Sequence, residues 1–119
     1  MVNKLKIAFR THDLGVKGLE NAVQKCENCG ISAVQLVAYK FLDDVKYVPG
    51  GLKKERAEEI GKALKAANIY VPLIGAYFNP VHSDKEKVAN CKAIFKDYLK
   101  YSALLGCNVV GSETGSFND

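Results

Sequence analysis

The chain has 119 residues, of which 48% are apolar and 25% are charged. These values are typical of one globular domain, so we expect residues 1–119 to form a single domain, and they exclude a disordered or collagen-like chain. Seventeen basic and 13 acidic residues give a net charge of +4. The basic residues are interspersed with acidic ones, which is typical of a solvated surface and disfavours a nucleic-acid surface. No apolar run approaches the roughly 18 residues that a membrane span needs, and the N-terminus lacks a secretory signal, so we expect a cytoplasmic protein without membrane contact.

Four cysteines are present, and we expect them to be reduced in the cytoplasm. Cys26 and Cys29 form a CxxC pair, but a zinc site would need a second pair of ligands at a suitable spacing, and the sequence has none. A redox CxxC would open a helix, whereas this pair ends a helical pattern. We therefore predict a structural role for the pair and burial of Cys91 and Cys107.

The elements alternate along the chain. Apolar runs predict strands near 5–11, 32–38, 70–77 and 107–112, and apolar residues at helical spacing between them predict three amphipathic helices. The segment Ser83–Glu86 has the pattern of a capping box, so the third helix is expected to begin there. Pro72 is awkward in a central strand because it cannot donate a hydrogen bond to the ladder.

A repeat organises this alternation. Gly30, Asn68 and Gly106 each end a helical pattern, each precedes an apolar run, and they are spaced 38 residues apart. Glycine and asparagine tolerate the left-handed conformation that commonly ends a helix. A regular period of this size indicates a repeated helix–turn–strand unit.

The order β-α-β-α-β-α-β predicts an α/β fold with parallel strands joined by crossover helices. Two architectures compete, namely an open doubly wound sheet and half of a (β/α)8 barrel. The segment Arg10–Gly15 after the first strand contains neither a dinucleotide-binding nor a P-loop glycine pattern, which disfavours the first alternative. We expect alternating β-α units that resemble half of a (β/α)8 TIM barrel, with about four strands and three helices.

Function in such folds is located beyond the carboxyl ends of the strands. Four polar residues follow these ends: His12 after the first strand, Asn79 and His82 after the third, and Glu113 after the fourth. Each also has a structural interpretation, because His12 can serve a turn, His82 can shape the entrance of a helix, and Glu113 can pair with a lysine. A carboxylate at the mouth of the strands is costly to bury unless it is paired or bound to a metal, which favours a functional Glu113.

Two segments, Gly75–Asp84 and Val109–Ser116, resemble the xylose-isomerase-like TIM-barrel superfamily, which includes sugar isomerases, sugar epimerases and endonuclease-IV-type enzymes. The resemblance implies that Glu113 is a ligand of a divalent metal (Mn, Mg or Zn) and an acid/base catalyst. It also implies that His12, Asn79 and His82 contact a sugar or sugar phosphate. Gln35 stands in the second strand, where the family often has a glutamate.

The resemblance covers only the N-terminal half of a family member, whose remaining metal ligands come from strands five to eight. We therefore expect a sugar isomerase or epimerase-like half-barrel that is catalytically incomplete as a lone chain. Two alternatives stay open. One is an endonuclease-IV-like metal-dependent hydrolase, disfavoured by the presence of only two histidines. The other is a non-catalytic half-barrel fragment.

Four parallel strands leave two open edges, and unpaired edges promote association. We therefore expect a homo-oligomer, for example two half-barrels related by a two-fold axis.

Overall fold

The computed structural model describes residues 5–117. Three long helices connect the four strands, and a single helical turn, α2, follows the second strand. In chain order the elements are β1 (Phe9–Arg10), α1 (Leu19–Cys29), β2 (Ala33–Leu36), α2 (Ala38–Phe41), α3 (Lys54–Ala66), β3 (Tyr70–Gly75), α4 (Lys85–Tyr101) and β4 (Val110–Gly111). The predicted α/β alternation is confirmed, with α2 as an element that the sequence pattern did not predict.

The 38-residue repeat is a repeat of helix ends. Gly30, Asn68 and Gly106 all have positive φ, at 67°, 55° and 89°. In each unit the next residue donates its N–H to the carbonyl oxygen five positions back, at 2.8 Å for Ile31, 2.9 Å for Ile69 and 3.1 Å for Cys107. This is the hydrogen bond of a Schellman motif, which satisfies an otherwise unpaired carbonyl at the helix end and turns the chain toward the next strand.

The strand order decides between the two architectures. All four strands are parallel and lie in the sequential order β1-β2-β3-β4. A doubly wound sheet reverses its strand order at a switch point, whereas a barrel advances in one direction. The sequential order is that of a (β/α)8 barrel, so the half-barrel expectation is confirmed.

The three long helices form one layer on one face of the sheet. Leu36 and Ile74 from the strands share a buried core with Ile60 from α3 and Ile94 and Tyr98 from α4. Right-handed crossovers explain this arrangement, because a constant direction of advance places every crossover helix on the same side. Gln35, Leu73 and Gly111 lie on the other face, because Gln35 pairs with Leu73 and the Leu73 side chain lies against Gly111. By alternation Val109 lies on this face too. We call it the open face.

Pro72 lies within an irregularity of the ladder between β2 and β3. Ala33 pairs with Tyr70 and Gln35 pairs with Leu73, so β3 has one more residue than β2 in this interval. Such a bulge releases a residue from regular pairing, and a proline inside a sheet is tolerated at such a site.

Three details differ from the sequence-based expectations. β1 and β4 are shorter than predicted, because each lies at an edge and pairs on only one side. Helix α4 begins at Lys85, and Asp84 rather than Ser83 is its N-cap, with Asp84 Oδ1 accepting the N–H groups of Glu86 and Lys87. In the part of the chain that the structure describes, no helix is long and apolar enough to cross a bilayer.

Close packing between α3 and the turn that follows α4 depends on Gly61. A Cβ atom at this position would overlap the carbonyl oxygen of Leu104. Alanine favours a helix interior over glycine by about 1 kcal/mol, but backbone overlap in a packed region costs about 1–3 kcal/mol. We expect Gly61→Ala to lower the free energy of unfolding, measured by urea denaturation.

Ala63→Gly, in the same helix, is the control for helix propensity and should also lower stability. If Gly61→Ala raises the stability while Ala63→Gly lowers it, helix propensity outweighs packing at residue 61, and the close approach of Leu104 to Gly61 is contradicted.

The cysteines differ in exposure. Cys26 and Cys91 are buried, Cys107 is half-buried, and Cys29 is exposed. The burial expected for Cys91 is confirmed, whereas that expected for Cys107 is only partly met, because Cys107 lies in the connection between α4 and β4 and not in the strand. Burial raises the pKa of the Cys26 thiol, and the neighbouring Cys29 raises it further.

In the native protein we expect fast thiol labelling at Cys29, slower labelling at Cys107, and labelling of Cys26 and Cys91 only on unfolding, since a reagent cannot reach the buried sulfur atoms. A disulfide-exchange reagent followed by mass spectrometry measures this order. Cys29→Ser should abolish the fast phase, and fast labelling of Cys91 in either protein would contradict the placement of α4.

Candidate functional site

The connections that follow the four strands meet at the carboxyl edge of the sheet. After β1 the chain makes a single 3-10 turn, Thr11–Asp13, and after β2 it enters α2 directly. The buried Thr11 ties these two connections together, because its Oγ1 accepts the N–H of Val37 at 3.0 Å. The edge is therefore built from local turns anchored to one another.

A cavity of about 220 Å³ lies at this edge, between the connections after β3 and β4 and the start of α4. It combines an aromatic side with polar and charged groups. Its lining residues are Tyr47, Tyr77, Phe78, Asn79, His82, Lys87, Val88, Cys91 and Glu113. Three of the four residues singled out in the sequence are thus brought together by the fold.

Asn79 joins the connection after β3 to that after β4. Its Nδ2 group donates to the carbonyl oxygen of Ser116 at 2.6 Å, and its Oδ1 accepts the N–H of Ser116 at 3.1 Å. The same oxygen accepts the N–H of Val81 at 3.1 Å. Gly115 permits this approach, because a Cβ there would overlap Asn79 Oδ1. The amide therefore holds the segment that carries Glu113.

His82 has one ring nitrogen committed to the start of α4. Its Nδ1 accepts the N–H of Asp84 at 2.9 Å. A ring nitrogen that accepts a hydrogen bond carries no proton, so in the neutral ring the proton is on Nε2. His82 thus shapes the entrance of α4, as its structural interpretation predicts. The ring can still offer an Nε2–H donor to a bound molecule.

Glu113 is exposed at the mouth of the cavity. Its carboxylate is close enough to Tyr39 to contribute to a raised pKa of that phenol, although burial is the largest cause of the shift. Because the side chain is exposed, its charge carries little of the desolvation cost that the sequence argument considered. Glu113 is therefore held at an accessible position beside phenolic groups.

Tyr77 is held by hydrogen bonds at both its backbone groups and its hydroxyl. Its N–H donates to Tyr39 Oη at 3.1 Å, and its carbonyl oxygen accepts from Tyr47 Oη at 2.8 Å. Its own hydroxyl accepts from Gln35 Nε2 on the open face. Tyr47 had no signal in the sequence, because it lies in a long connection without periodicity.

His12 lies apart from the cavity. Burial is the main cause of its lowered pKa, and the nearby Lys40 adds to the effect. Its Nδ1 is buried and has no hydrogen-bond partner among the described residues. Within one chain, therefore, the fold does not bring His12 to Glu113.

A metal site is not formed by the described residues alone. Within residues 5–117 no three histidine, cysteine, aspartate or glutamate side chains gather closely enough to hold an ion. One carboxylate is a poor match for the several oxygen ligands that Mg²⁺ and similar ions take. Glu113 as it stands does not fit a complete metal centre.

A larger cavity, about 540 Å³, lies near the amino end of β3, between α3 and the turn at the end of α4. Its charged lining residues are Glu58, Lys62 and Lys65, and most of the others are apolar. Sites in folds of this kind lie at the carboxyl ends of the strands, so the smaller cavity is the candidate.

A sequential parallel sheet with one helical layer and polar residues at its carboxyl edge defines a protein of the barrel class. The family model described as xylose isomerase-like TIM barrel matches residues 23–119, and the chain belongs to this family. The match includes Asn79, His82 and Glu113 and begins after His12. Searches of curated proteins and of solved structures gave no significant match.

The hydrogen bonds of Asn79 lead to a test of its positioning role. Asn79→Ala removes the bonds to Ser116 and Val81, each of which contributes about 0.5–1.5 kcal/mol net. All three bonds are exposed to solvent, so each counts at the lower end of this range and we expect stability to fall by about 1.5 kcal/mol. The amide of Ser116 should exchange hydrogen much faster, as measured by NMR.

Asn108→Ala, at an exposed asparagine before β4, is the matched control and should change neither quantity. Unchanged exchange at Ser116 in Asn79→Ala would show that the amide does not hold this segment.

Proposed function

We propose that this chain carries part of the site of a cytoplasmic sugar isomerase or epimerase that acts on a sugar or sugar phosphate. The observation that supports this most is the cavity at the carboxyl edge, which places Glu113, His82 and Asn79 around one volume. Family membership supports the same class of chemistry. The cavity is smaller than the roughly 300–1,000 Å³ of drug-sized ligand sites, which suits a small metabolite or one side of a larger site.

The proposed reaction moves a proton next to a carbonyl group. The Glu113 carboxylate accepts the proton from the carbon adjacent to the carbonyl, and the electron pair of that C–H bond moves to give an enediolate. Return of the proton to the former carbonyl carbon, with the proton of the adjacent hydroxyl passing to the former carbonyl oxygen, gives an isomer. An epimer forms when water protonates the original carbon from the opposite face and Glu113 releases its proton to solvent. A positioned carboxylate contributes about 10²–10⁴-fold to such proton transfers.

The other residues orient the substrate. His82 presents its Nε2–H to a carbonyl or hydroxyl oxygen, because its Nδ1 is held by Asp84. Asn79 keeps Glu113 in place through Ser116, and it can also contact the substrate. The aromatic side formed by Tyr77 and Phe78 offers an apolar surface to the carbon skeleton.

A divalent ion (Mn²⁺, Mg²⁺ or Zn²⁺) enters this proposal only through a completed site. The described residues would contribute Glu113 as one ligand, and other ligands would have to come from further strands. The endonuclease-IV-like alternative has less support, because such hydrolysis of a phosphate backbone uses several metal ions and the described residues gather no such ligand cluster.

The test is exchange of carbon-bound hydrogen. Exchange needs only the removal and return of one proton at Glu113, so a chain that is incomplete for the full reaction can still show it. We expect the protein, incubated in D2O with panels of sugars and sugar phosphates and with each of the three ions, to incorporate deuterium next to the carbonyl of at least one compound. NMR detects this incorporation. Glu113→Gln should slow this incorporation by at least about 100-fold, since the base is lost. Its free energy of unfolding, from a thermal melt, should stay within about 0.5 kcal/mol of wild type because the residue is exposed.

Glu27→Gln is the control, since Glu27 is an exposed glutamate on α1 away from the cavity. Equal exchange by Glu113→Gln and wild type would contradict the role of Glu113. Absence of exchange on every compound would favour the non-catalytic half-barrel. Clear destabilisation of Glu113→Gln without loss of exchange would make Glu113 part of the scaffold.

A further inference from the structure

A second cavity, about 370 Å³ in volume, adjoins the candidate site at the start of α4. We call it the outer cavity, and we call the 220 Å³ cavity beside Glu113 the candidate cavity. Tyr47, Lys87 and Cys91 line both. Because Cys91 is buried and Lys87 is exposed, a molecule that occupies both cavities spans them on the solvent side, beside the flexible Lys87 side chain. The candidate cavity alone is smaller than the roughly 300–1,000 Å³ of typical ligand sites, and the outer cavity extends it into that range.

Hydrogen bonds hold the wall of the outer cavity in place. Tyr47 Oη donates to the carbonyl oxygen of Tyr77 at 2.8 Å, and the Gly50 N–H donates to Asp97 Oδ2 on α4 at 2.8 Å. These two bonds fix the segment 47–50 against the connection after β3 and against α4. A site whose walls are already ordered loses less conformational freedom when its ligand binds. The outer cavity therefore has the fixed wall that a binding site needs.

Part of the lining of the outer cavity is apolar. Val48, Pro49 and Ile94 contribute to it together with Tyr47, and Val48 is 50% exposed. Such a surface gains from covering the carbon atoms of a bound molecule. The C–H groups of a sugar ring form an apolar face of this kind, so a sugar ring can pack on it.

The rest of the lining is polar and carries more negative than positive charge. It consists of the Asn90 amide and the side chains of Asp84, Glu86 and Lys87. Two carboxylates against one ammonium group disfavour a phosphate, because like charges repel. Carboxylates accept hydrogen bonds from hydroxyl groups, and an amide both donates and accepts them. The polar lining therefore matches a neutral group that carries several hydroxyls.

We propose that the two cavities form one cleft and that its substrate is a reducing disaccharide. The first sugar unit, which can open to expose its carbonyl group, lies beside Glu113. The second unit occupies the outer cavity, where its ring covers Val48 and its hydroxyls face Asn90. This assignment rests on the proposed function, since it takes a sugar beside Glu113 as given. A single sugar unit would leave the contacts of the outer cavity unused.

Asn90 is the position that separates the outer cavity from the candidate cavity. It lines the outer cavity only, and it is exposed on α4, so a larger side chain there does not disturb the core. Asn90→Trp therefore fills the outer cavity while Glu113 stays in place. Asn28→Trp is the matched control, because Asn28 is an exposed asparagine on α1 and lines neither cavity.

Binding of maltose, cellobiose and lactose to the full chain tests the cleft without turnover. We expect titration with at least one of them, followed by NMR, to shift the amide signals of Val48 and Asn90. That disaccharide should bind at least about tenfold more tightly than glucose. Asn90→Trp should remove this advantage, and Asn28→Trp should keep it. Unshifted signals of Val48 and Asn90, or equal binding of glucose and all three disaccharides, would overturn the proposal.

Glucose 6-phosphate distinguishes a neutral second unit from an anionic one. If it binds more tightly than every disaccharide and Asn90→Trp weakens this binding, the neutral second unit is wrong. If Asn90→Trp does not fold, as judged by circular dichroism, the wild-type shifts and affinities decide. Deuterium exchange is read separately, because disaccharide binding at Val48 and Asn90 without exchange contradicts the proposed function and leaves the cleft standing.

Discussion

The handedness of the β-α-β crossover is the constraint on which this structure depends. Each of the three long helices is followed by a left-handed residue, Gly30, Asn68 or Gly106, that turns the chain back toward the sheet. Because every crossover has the same hand, each strand is added on the same side of the previous one. The helices consequently form one layer, and the strands advance as they do around a barrel.

The candidate site follows from the same constraint. Parallel strands place their carboxyl ends at one edge, where their connections meet, and short-range hydrogen bonds then hold those connections in place. Asn79 fixes the segment of Glu113 through Ser116, and Tyr77 is held by phenols from the neighbouring connection. Polar residues that are far apart in sequence thereby surround one cavity.

The open face and the lack of a ligand cluster both belong to the four strands that residues 5–117 form. A barrel buries its inner face and completes its rim only when eight strands close. With four strands, Val109 stays exposed and Glu113 lacks neighbouring ligands among the described residues. In the described residues, the uncovered face and the lone carboxylate at the rim both belong to this four-stranded arrangement.

The sequence by itself determined the elements, the repeat and the candidate residues, because these depend on interactions between residues close in the chain. The preference of glycine and asparagine for positive φ places three helix ends, and apolar spacing places the helices. The missing glycine pattern and the family resemblance favoured the half-barrel over the doubly wound sheet. Local patterns carry no information on strand order, so the tertiary structure decided the matter. It also decided that Asn79 holds Ser116, that Tyr47 lines the cavity and that His12 does not, because these depend on how distant connections pack.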